Sequence, residues 1–505
     1  MAKITFVYPD YESLGVAYLM AACIRAGYDV ELVFYVTGES FIDIFKKSGV
    51  AFSDIAEKVV ATKPDIVAFS CMTDFYQAQL MCANAIKEII PKVVTIFGGI
   101  HPTAVPELVL KEKNVDCVAI GEAEESFIAF LNECQFTRNP ILPQHKVDGI
   151  VFKLNDNLIG DFREGKLPDL NALAFPYKKP FYDSFNAFSN RYSILTSRGC
   201  PFSCSYCFSS SMNYVRGKSI VRQRTVDNVI LELLQAKHVH APKNIFFADD
   251  CFTTNEAWLI EFCNRYKKEI KIPFGCAAIP SYLNKTKVQA LRDAGCCQVQ
   301  IGVQSLNENL CKEVLLRKSD NVKIAEAICL LKDAGITVQA DHILGIPGDT
   351  LSMEEENVLF YNKFRPNVVS VYWLTYYPKT KIVETARQKG ILNAQDIDAI
   401  NNGTYSGATK AFSLSRTNSE QHRLYYGIDF VLNFLPFLPR WLVRLSIKRK
   451  AYKICSFKSI FFRRLLKLLS NFIIVLFQPK NFIYRSYFFL ALNKMFYKEK
   501  VMSKK

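Results

Sequence analysis

The 505-residue sequence has no long apolar run. In its greasy C-terminal end the longest stretch without a charge is Leu468 to Pro479, 12 residues. A membrane-spanning helix needs about 20, so no transmembrane segment is expected. A disulfide framework is missing too. The 16 cysteines are scattered along the chain, which excludes a small stapled scaffold. Cys23, Cys71 and Cys329 sit singly in apolar settings and are expected to be small buried hydrophobes. Met1 to Asp10 offers one lysine and a short apolar run, too little for a signal peptide, so a reducing, cytoplasmic compartment is expected. No internal repeat is visible. Charge of one sign is absent from most of the chain as well. The net charge of +15 falls in Arg440–Lys505, with 17 Lys/Arg against the single acid Glu499, and the remaining 439 residues carry a net of −1.

What is present is a core. Half of the residues are hydrophobic and 22% are charged, which excludes a mainly disordered chain. The length predicts two or three domains. Over residues 1–135 short apolar strands alternate with helical patterns: Ile4–Tyr8, Val30–Tyr35, Ile66–Ser70, Val93–Phe97 and Asp116–Ile120, with a helix over Leu14–Ala26 ended by Gly27. That alternation predicts an α/β, doubly wound, Rossmann-like parallel sheet, whose ligands bind at the carboxyl ends of the strands. Residues 136–190, rich in Pro, Asn and Lys, read as a connector. A second series of six strands, Ser193–Ser197, Asn244–Ala248, Phe274–Ala278, Gln298–Val303, Thr337–Leu344 and Val368–Leu374, predicts a partial (β/α)6 barrel over 191–400. Residues 401–505 are left as a basic, aromatic, helical tail.

The most informative residues follow the first barrel strand: Arg198-Gly199-Cys200-Pro201-Phe202-Ser203-Cys204-Ser205-Tyr206-Cys207-Phe208. Three cysteines in one loop can converge on a single metal centre, and thiolate is the ligand of soft iron–sulfur clusters. A structural zinc site would want a fourth ligand, yet no Cys or His lies within 25 residues on either side. Three ligands leave a coordination position open for chemistry.

This C-x3-C-x2-C loop resembles the radical S-adenosylmethionine (SAM) superfamily, whose motif holds a 4Fe–4S cluster. The resemblance implies that the open iron chelates SAM, and that reductive cleavage yields a 5′-deoxyadenosyl radical that takes a hydrogen atom from substrate. Later strand ends agree over about residues 190–380. Ala248-Asp249-Asp250 looks like the site for the methionine amino group. Ile301-Gly302-Val303-Gln304-Ser305 is similar to the segment that contacts ribose and carboxylate. Leu344-Gly345-Ile346-Pro347-Gly348-Asp349-Thr350 resembles the turn beneath the adenine. Taken alone, each glycine turn signals only permissive backbone angles.

The first domain resembles the cobalamin-binding domain that precedes the radical domain in one large subfamily, including relatives of the magnesium-protoporphyrin ester cyclase. The matching residues are Leu14-Gly15, Ser70-Cys71-Met72-Thr73, Gly98-Gly99-Ile100-His101-Pro102-Thr103 and Gly121-Glu122-Ala123-Glu124-Glu125. Glycines at strand ends would let a nucleotide tail approach the backbone, and helix amino termini favour its phosphate. His101 is expected to pack on that tail. One departure stands out. Methyltransferase-type cobalamin domains use Asp-x-His-x-x-Gly, with His on cobalt, whereas Asp10-Tyr11-Glu12-Ser13-Leu14-Gly15 has Glu12 at that place. Cobalt would then lack a lower histidine.

In the tail, Arg440-Trp441-Leu442-Val443-Arg444 and Phe461–Lys467 mix aromatics with cations, as do basic helices lying on anionic membrane surfaces. A helical cap on the barrel with a wet basic face is the plainer reading. Nucleic acid is disfavoured, because an RNA face would leave Phe472–Phe477 wet. The expectation is a peripheral enzyme at the inner face of a membrane, served by a flavodoxin- or ferredoxin-type reductant. It would methylate an unactivated carbon of a small, hydrophobic or lipid substrate. A cyclase, oxidase or carbon–carbon coupling enzyme of the same architecture is the alternative. A membrane or RNA adaptor with a structural cluster is disfavoured, since it needs no nucleoside pocket.

Overall fold

The computed structural model describes residues 2–35, 52–136, 140–155, 157–185, 190–217, 220–405 and 419–455, with isolated positions beyond. It divides into two units: Met1–Ser184 with Tyr377–Lys379 and Asn393–Gly407, and Phe185–Tyr376 with Thr380–Leu392 and Ala408–Lys505.

The first unit holds seven strands: β1 (Lys3–Pro9), β2 (Asp29–Tyr35), β3 (Ile66–Ser70), β4 (Val94–Gly98), β5 (Cys117–Ala119), β6 (Ile150–Leu154) and β7 (Asn157–Ile159). Their order is β2-β1-β3-β4-β5-β6-β7. The central strands β1, β3 and β4 are near-continuous apolar runs, as strands covered on both faces must be, while the edge strand β2 alternates exposed and half-buried residues. Val67, Phe69 and Phe97 pack against Ile55, Val59, Leu80 and Ile86 of the helices Phe52–Ala61 and Tyr76–Ile89. The chain adds β2 on one side of β1 and β3 on the other, in parallel register with Ile4 beside both Val30 and Ile66. The strand order therefore reverses at β1, and the crevice at such a reversal lies outside the carboxyl ends of β1 and β3.

Within 136–190, the stretch expected to be a connector, β6 and β7 form an antiparallel hairpin that extends the sheet from β5. The hairpin's strands are five and three residues long, too short for their alternation to stand out among Pro, Asn and Lys.

The second unit has six parallel strands in chain order, β8 (Arg191–Ile194), β11 (Asn244–Phe247), β12 (Phe274–Ala278), β13 (Cys296–Gln304), β14 (Thr337–Leu344) and β15 (Val368–Trp373). The short β9 (Ser197–Arg198) and β10 (Arg222–Gln223) pair antiparallel beside them. Five helices that follow these strands begin at Thr225, Asn255, Asn284, Asp320 and Thr350, whose side chains each accept a backbone N–H of the first turn. Cys23 and Cys71 are buried as expected, but Cys329 is exposed. On its helix, Ile324, Ala327, Ile328 and Leu331 form the inward stripe, and position 329 falls outside it.

The basic tail is not one region. Its first part packs on the barrel: the helix Ser419–Phe434 buries Tyr425, Ile428, Val431 and Leu432. The helix Arg440–Lys448 then buries Val443 and Ile447. Gly427 is required there, because a Cβ would lie 2.1 Å from the carbonyl oxygen of Tyr452. Phe461–Lys467 and most of the charge-free stretch lie outside the described residues. Among the described residues no helix is long and apolar enough to cross a membrane.

This packing predicts the effect of a truncation. A chain ending at residue 418 uncovers several side-chain sites worth about 1.5–3 kcal/mol each, against a total stability of about 5–15 kcal/mol. It should aggregate or melt far lower, as read by circular dichroism.

Candidate active site

In the second unit Cys200, Cys204 and Cys207 lie between β9 and the helix Phe208–Val215, with Cys204 buried and the other two half-buried. Gly199 leads into the loop at φ +94°, and a Cβ there would lie 2.0 Å from the Ile220 carbonyl oxygen, so only glycine fits. The loop is tied down on several sides. Asn213 Nδ2 donates to the Cys200 carbonyl (2.6 Å), Ser205 N donates to the Leu315 carbonyl (2.9 Å) and Ser205 Oγ to the Val314 carbonyl (2.6 Å). Cys207 N donates to the Cys204 carbonyl (3.2 Å). Burial pushes the Cys200 thiol up to about 12 and raises that of Cys207. Binding a soft metal centre would therefore release protons. Among the described residues no three His, Cys, Asp or Glu side chains are gathered closely enough to hold a metal ion as they stand.

The Arg317 guanidinium is aimed at this loop. It donates to Cys204 Sγ at 3.7 Å and to the Gly302 carbonyl at 2.5 Å. A fixed cation beside a thiol suits an anionic thiolate-ligated centre, so donor set and surroundings fit a 4Fe–4S cluster. The sequence reading missed Arg317, which carries no motif and reads as an ordinary loop charge beside Lys318.

The paired acids divide. Asp249 is buried, and its carboxylate accepts from Thr196 N (3.0 Å), Thr196 Oγ1 (2.8 Å) and Ser197 Oγ (2.6 Å). Burial raises its pKa while these donors pull it back. Asp249 is thus spent on the segment between β8 and β9. Asp250 is exposed and accepts from Ser209 Oγ at 3.0 Å, on the helix that follows the cysteine loop.

At the end of β13 the register with β14 shifts between Gly302 and Gln304, and Gln304 has φ +70°. Ser305 Oγ accepts from Asn307 N at 3.2 Å. After β14 come Gly345 at φ +79° and the buried Pro347. Behind that turn, His342 Nε2 and Glu354 Oε2 lie 2.8 Å apart. Farther down the strands, Gln300 Nε2 and Gln339 Nε2 donate to Asp341 at 2.5 and 3.1 Å, and burial lifts the Asp341 carboxyl to about 6.

In the first unit the loops after β3, β4 and β5 meet. Cys71 N donates to the Gly98 carbonyl (2.7 Å) and His101 N to the Cys71 carbonyl (3.0 Å). A Cβ on Gly99, at φ +92°, would lie 2.8 Å from Cys71 N. The glycine therefore allows the close approach of the neighbouring loop's backbone. Ser70, at the end of β3, takes the Gln79 amide on its carbonyl (3.2 Å). His101 is buried, lies 4.1 Å from the Tyr76 ring and pairs through Nδ1 with Thr73 Oγ1 at 3.2 Å. Its Nε2 has no hydrogen-bond partner among the described residues. Gly121 N donates to Thr103 Oγ1 (2.9 Å), and Glu164 lies against Gly121 with Oε1 3.4 Å from Glu122 N. A buried nitrogen with no hydrogen-bond partner among the described residues, set among glycine loops at the carboxyl ends of the strands, fits a bound group such as cobalamin. In the loop after β1, Glu12 forms a buried ion pair with Lys178 (2.7 Å) and accepts from Tyr182 at 3.3 Å. Neither partner could be read from sequence, because both come from the connector.

Residues 4–131 match the B12 binding domain, and residues 194–360 match the radical SAM superfamily. The chain is a radical SAM enzyme with an N-terminal cobalamin-binding domain, and the cofactors of these domains are cobalamin, a 4Fe–4S cluster and SAM. Among its relatives are an uncharacterized methyltransferase of Pyrococcus horikoshii, 27% identical over 77% of this chain and 84% of the relative, and the anaerobic magnesium-protoporphyrin IX monomethyl ester cyclase of Cereibacter sphaeroides, 25% identical over 77% and 64%. The fold is that of the cobalamin-dependent SAM radical enzyme OxsB, with a TM-score of 0.63 and 16% identity over 93% of this chain and 73% of that one. It is likewise that of the methyltransferase TsrM of Kitasatospora setae, with a TM-score of 0.61 and 13% identity over 90% and 99%.

Burial lowers the His101 pKa to about 4, below the 6.5 of a free imidazole. The folded state then binds fewer protons than the unfolded state between these values. The His101 contribution should be full above pH 6.5 and be lost towards pH 4, by up to about 3 kcal/mol. His101→Gln should remove that contribution, read as the difference between variant and wild-type denaturation midpoints across the interval.

Proposed function

We propose that the protein is a cobalamin-dependent radical SAM methylase acting on an unactivated carbon of a hydrophobic, small-molecule or lipid substrate. The observation that carries this is the anchored loop of three thiols, faced by Arg317, in a chain that also has the cobalamin domain. When bound, the cofactors supply an adenosyl radical that takes a hydrogen atom from a substrate C–H bond and a methyl group for that carbon.

The chain's own residues hold and orient. Cys200, Cys204 and Cys207 would ligate the cluster, with Arg317 offsetting its negative charge. Of the paired acids, Asp250 is free of the strand network and would take the SAM amino group, while Asp249 positions the loop. Gln304 and Ser305 would meet the ribose and carboxylate, and Gly345 and Pro347 would underlie the adenine. In the first unit Ser70, Thr73, Gly98, Gly99, His101, Gly121 and Glu122 would receive cobalamin. Glu12, held by Lys178, would leave cobalt without a lower histidine. A flavodoxin- or ferredoxin-type protein would deliver the electron, and the protein would work at the inner, anionic face of a membrane.

The likeness to the anaerobic ester cyclase favours a second reading, a cyclase or oxidase of the same architecture that transfers no methyl group. Anaerobic reconstitution tests both. Wild-type protein should show iron–sulfur absorbance and form 5′-deoxyadenosine. Cys200→Ala, Cys204→Ala and Cys207→Ala should each lose both. One such variant that still cleaves SAM would overturn the ligand assignment. Methylated product in a candidate lipid extract supports the methylase, and a product short of hydrogen supports the cyclase.

Asp250→Asn should weaken SAM binding with the melting temperature unchanged. Asp249→Asn should cost about 1–3 kcal/mol of stability by leaving a buried donor unmatched.

A further inference from the structure

We propose that the outward face of the helix Arg440–Lys448, with the turn after it, is a docking surface for an anionic lipid membrane. This names the partner surface for the membrane location given above and rests on that reading.

A surface helix ordinarily shows one apolar stripe, turned inward. The helix Arg440–Lys448 has two. Val443 and Ile447 are buried and satisfy the packing requirement. On the other side Trp441 is 65% exposed, Leu442 36% and Leu445 41%, and Ile454 in the following turn is 82% exposed. Helical spacing of 100° per residue puts Trp441, Leu445 and Leu442 together on the side away from Val443 and Ile447. Exposed Arg444, Lys448, Arg449, Lys450 and Lys453 accompany them. No acidic residue occurs between Arg440 and Glu499.

The face is held rather than dangling. Asn362 Nδ2 donates to the Arg440 carbonyl (3.1 Å), and Arg365 Nη2 donates to the Leu438 carbonyl (2.7 Å), so both ties run to the barrel's own helix Leu351–Phe364 and its end. Tyr452 OH donates to Glu355 on the same helix. A wet tryptophan, two leucines and an isoleucine ringed by cations match the interface of an anionic leaflet, where apolar side chains enter the headgroup region and cations meet lipid charge. Nucleic acid would satisfy the cations and leave the apolar side chains in water.

The test uses the full-length protein and needs no cofactor, so it does not depend on the methylase reading. It is incubated with vesicles of phosphatidylcholine alone or mixed with phosphatidylglycerol. Binding is read by co-sedimentation, and Trp441 burial by fluorescence with brominated lipid, against the Trp441→Gln protein as background. Expected are binding that requires phosphatidylglycerol and weakens with salt, quenching that vanishes in Trp441→Gln, and affinity at least about tenfold lower in the Trp441→Gln/Leu445→Gln double variant. Both side chains are exposed, so the melting temperature should not move. No binding at low salt overturns the proposal. So does binding unaffected by the double variant, which would place it in residues after 455. A Trp441 shielded from soluble quencher before any lipid is added overturns it as well, since the chain's own terminal residues would then cover the face. Tail-dependent RNA binding that the double variant leaves intact counts against it in the same way.

Discussion

The open end of the barrel hangs on one buried carboxylate. Asp249, just beyond β11, receives the backbone N–H and hydroxyl of Thr196 and the hydroxyl of Ser197, the residues between the first barrel strand and the cysteine loop. A buried carboxylate is costly unless donors surround it, and here they do. Because all of those donors come from a single short segment, satisfying the charge fixes where that segment runs. Gly199 then turns the chain under Ile220, and Cys200, Cys204 and Cys207 follow in a loop whose carbonyls and amides are claimed by Asn213 and by the 314–315 backbone. The thiols need no order of their own. Their positions are inherited from the acid, the glycine and the amide.

The first unit reaches a similar result with backbone. Its loops after β3 and β4 are joined by the Cys71–Gly98 and His101–Cys71 hydrogen bonds, which are possible only because Gly99 has no side chain. The joined loops carry His101 inward with one nitrogen paired to Thr73 and the other unmatched among the described residues. An unmatched buried nitrogen is tolerable when neutral, and burial holds the imidazole in that form near neutral pH. Rigidity at strand ends and a polar atom left over are the two properties a cofactor platform requires.

Much of this was legible in the sequence, for identifiable reasons. β3, β12 and β14 fall where their apolar runs begin and end, because central parallel strands must be apolar on both faces and leave a sharp composition edge. The cysteine loop was legible because spacing alone says that three thiols share a turn. The hairpin β6–β7 was not, because short strands leave no period to count. Nor were Arg317, Lys178 and Glu164, since a partner brought in by tertiary folding has no local signature. The pair Asp249-Asp250 shows the limit most clearly. The two identical neighbours are separated by one peptide bond, yet one is consumed by the scaffold and the other faces solvent, a distinction that only the burial of each can make.

The C-terminal end makes the same point about charge. As a sequence, Arg440–Lys505 is uniformly basic and greasy, and composition alone cannot separate a cap from a docking surface. In the fold the packed side chains and the face proposed to dock occupy opposite sides of one helix. Val443 and Ile447 are committed to the barrel unit, and that commitment holds Trp441 and Leu445 outward. Had the helix only to cap the barrel, its outer face would gain nothing from tryptophan and leucine, and polar residues there would leave less apolar surface wet. Had it only to meet lipid, the hydrogen bonds from Asn362 to Arg440 at its start and from Arg365 to Leu438 just before it would be unnecessary. Both sets of residues have a role under the proposed docking, in which a rigid element of the barrel unit itself would present the apolar face and the surface it met would set the orientation of the barrel.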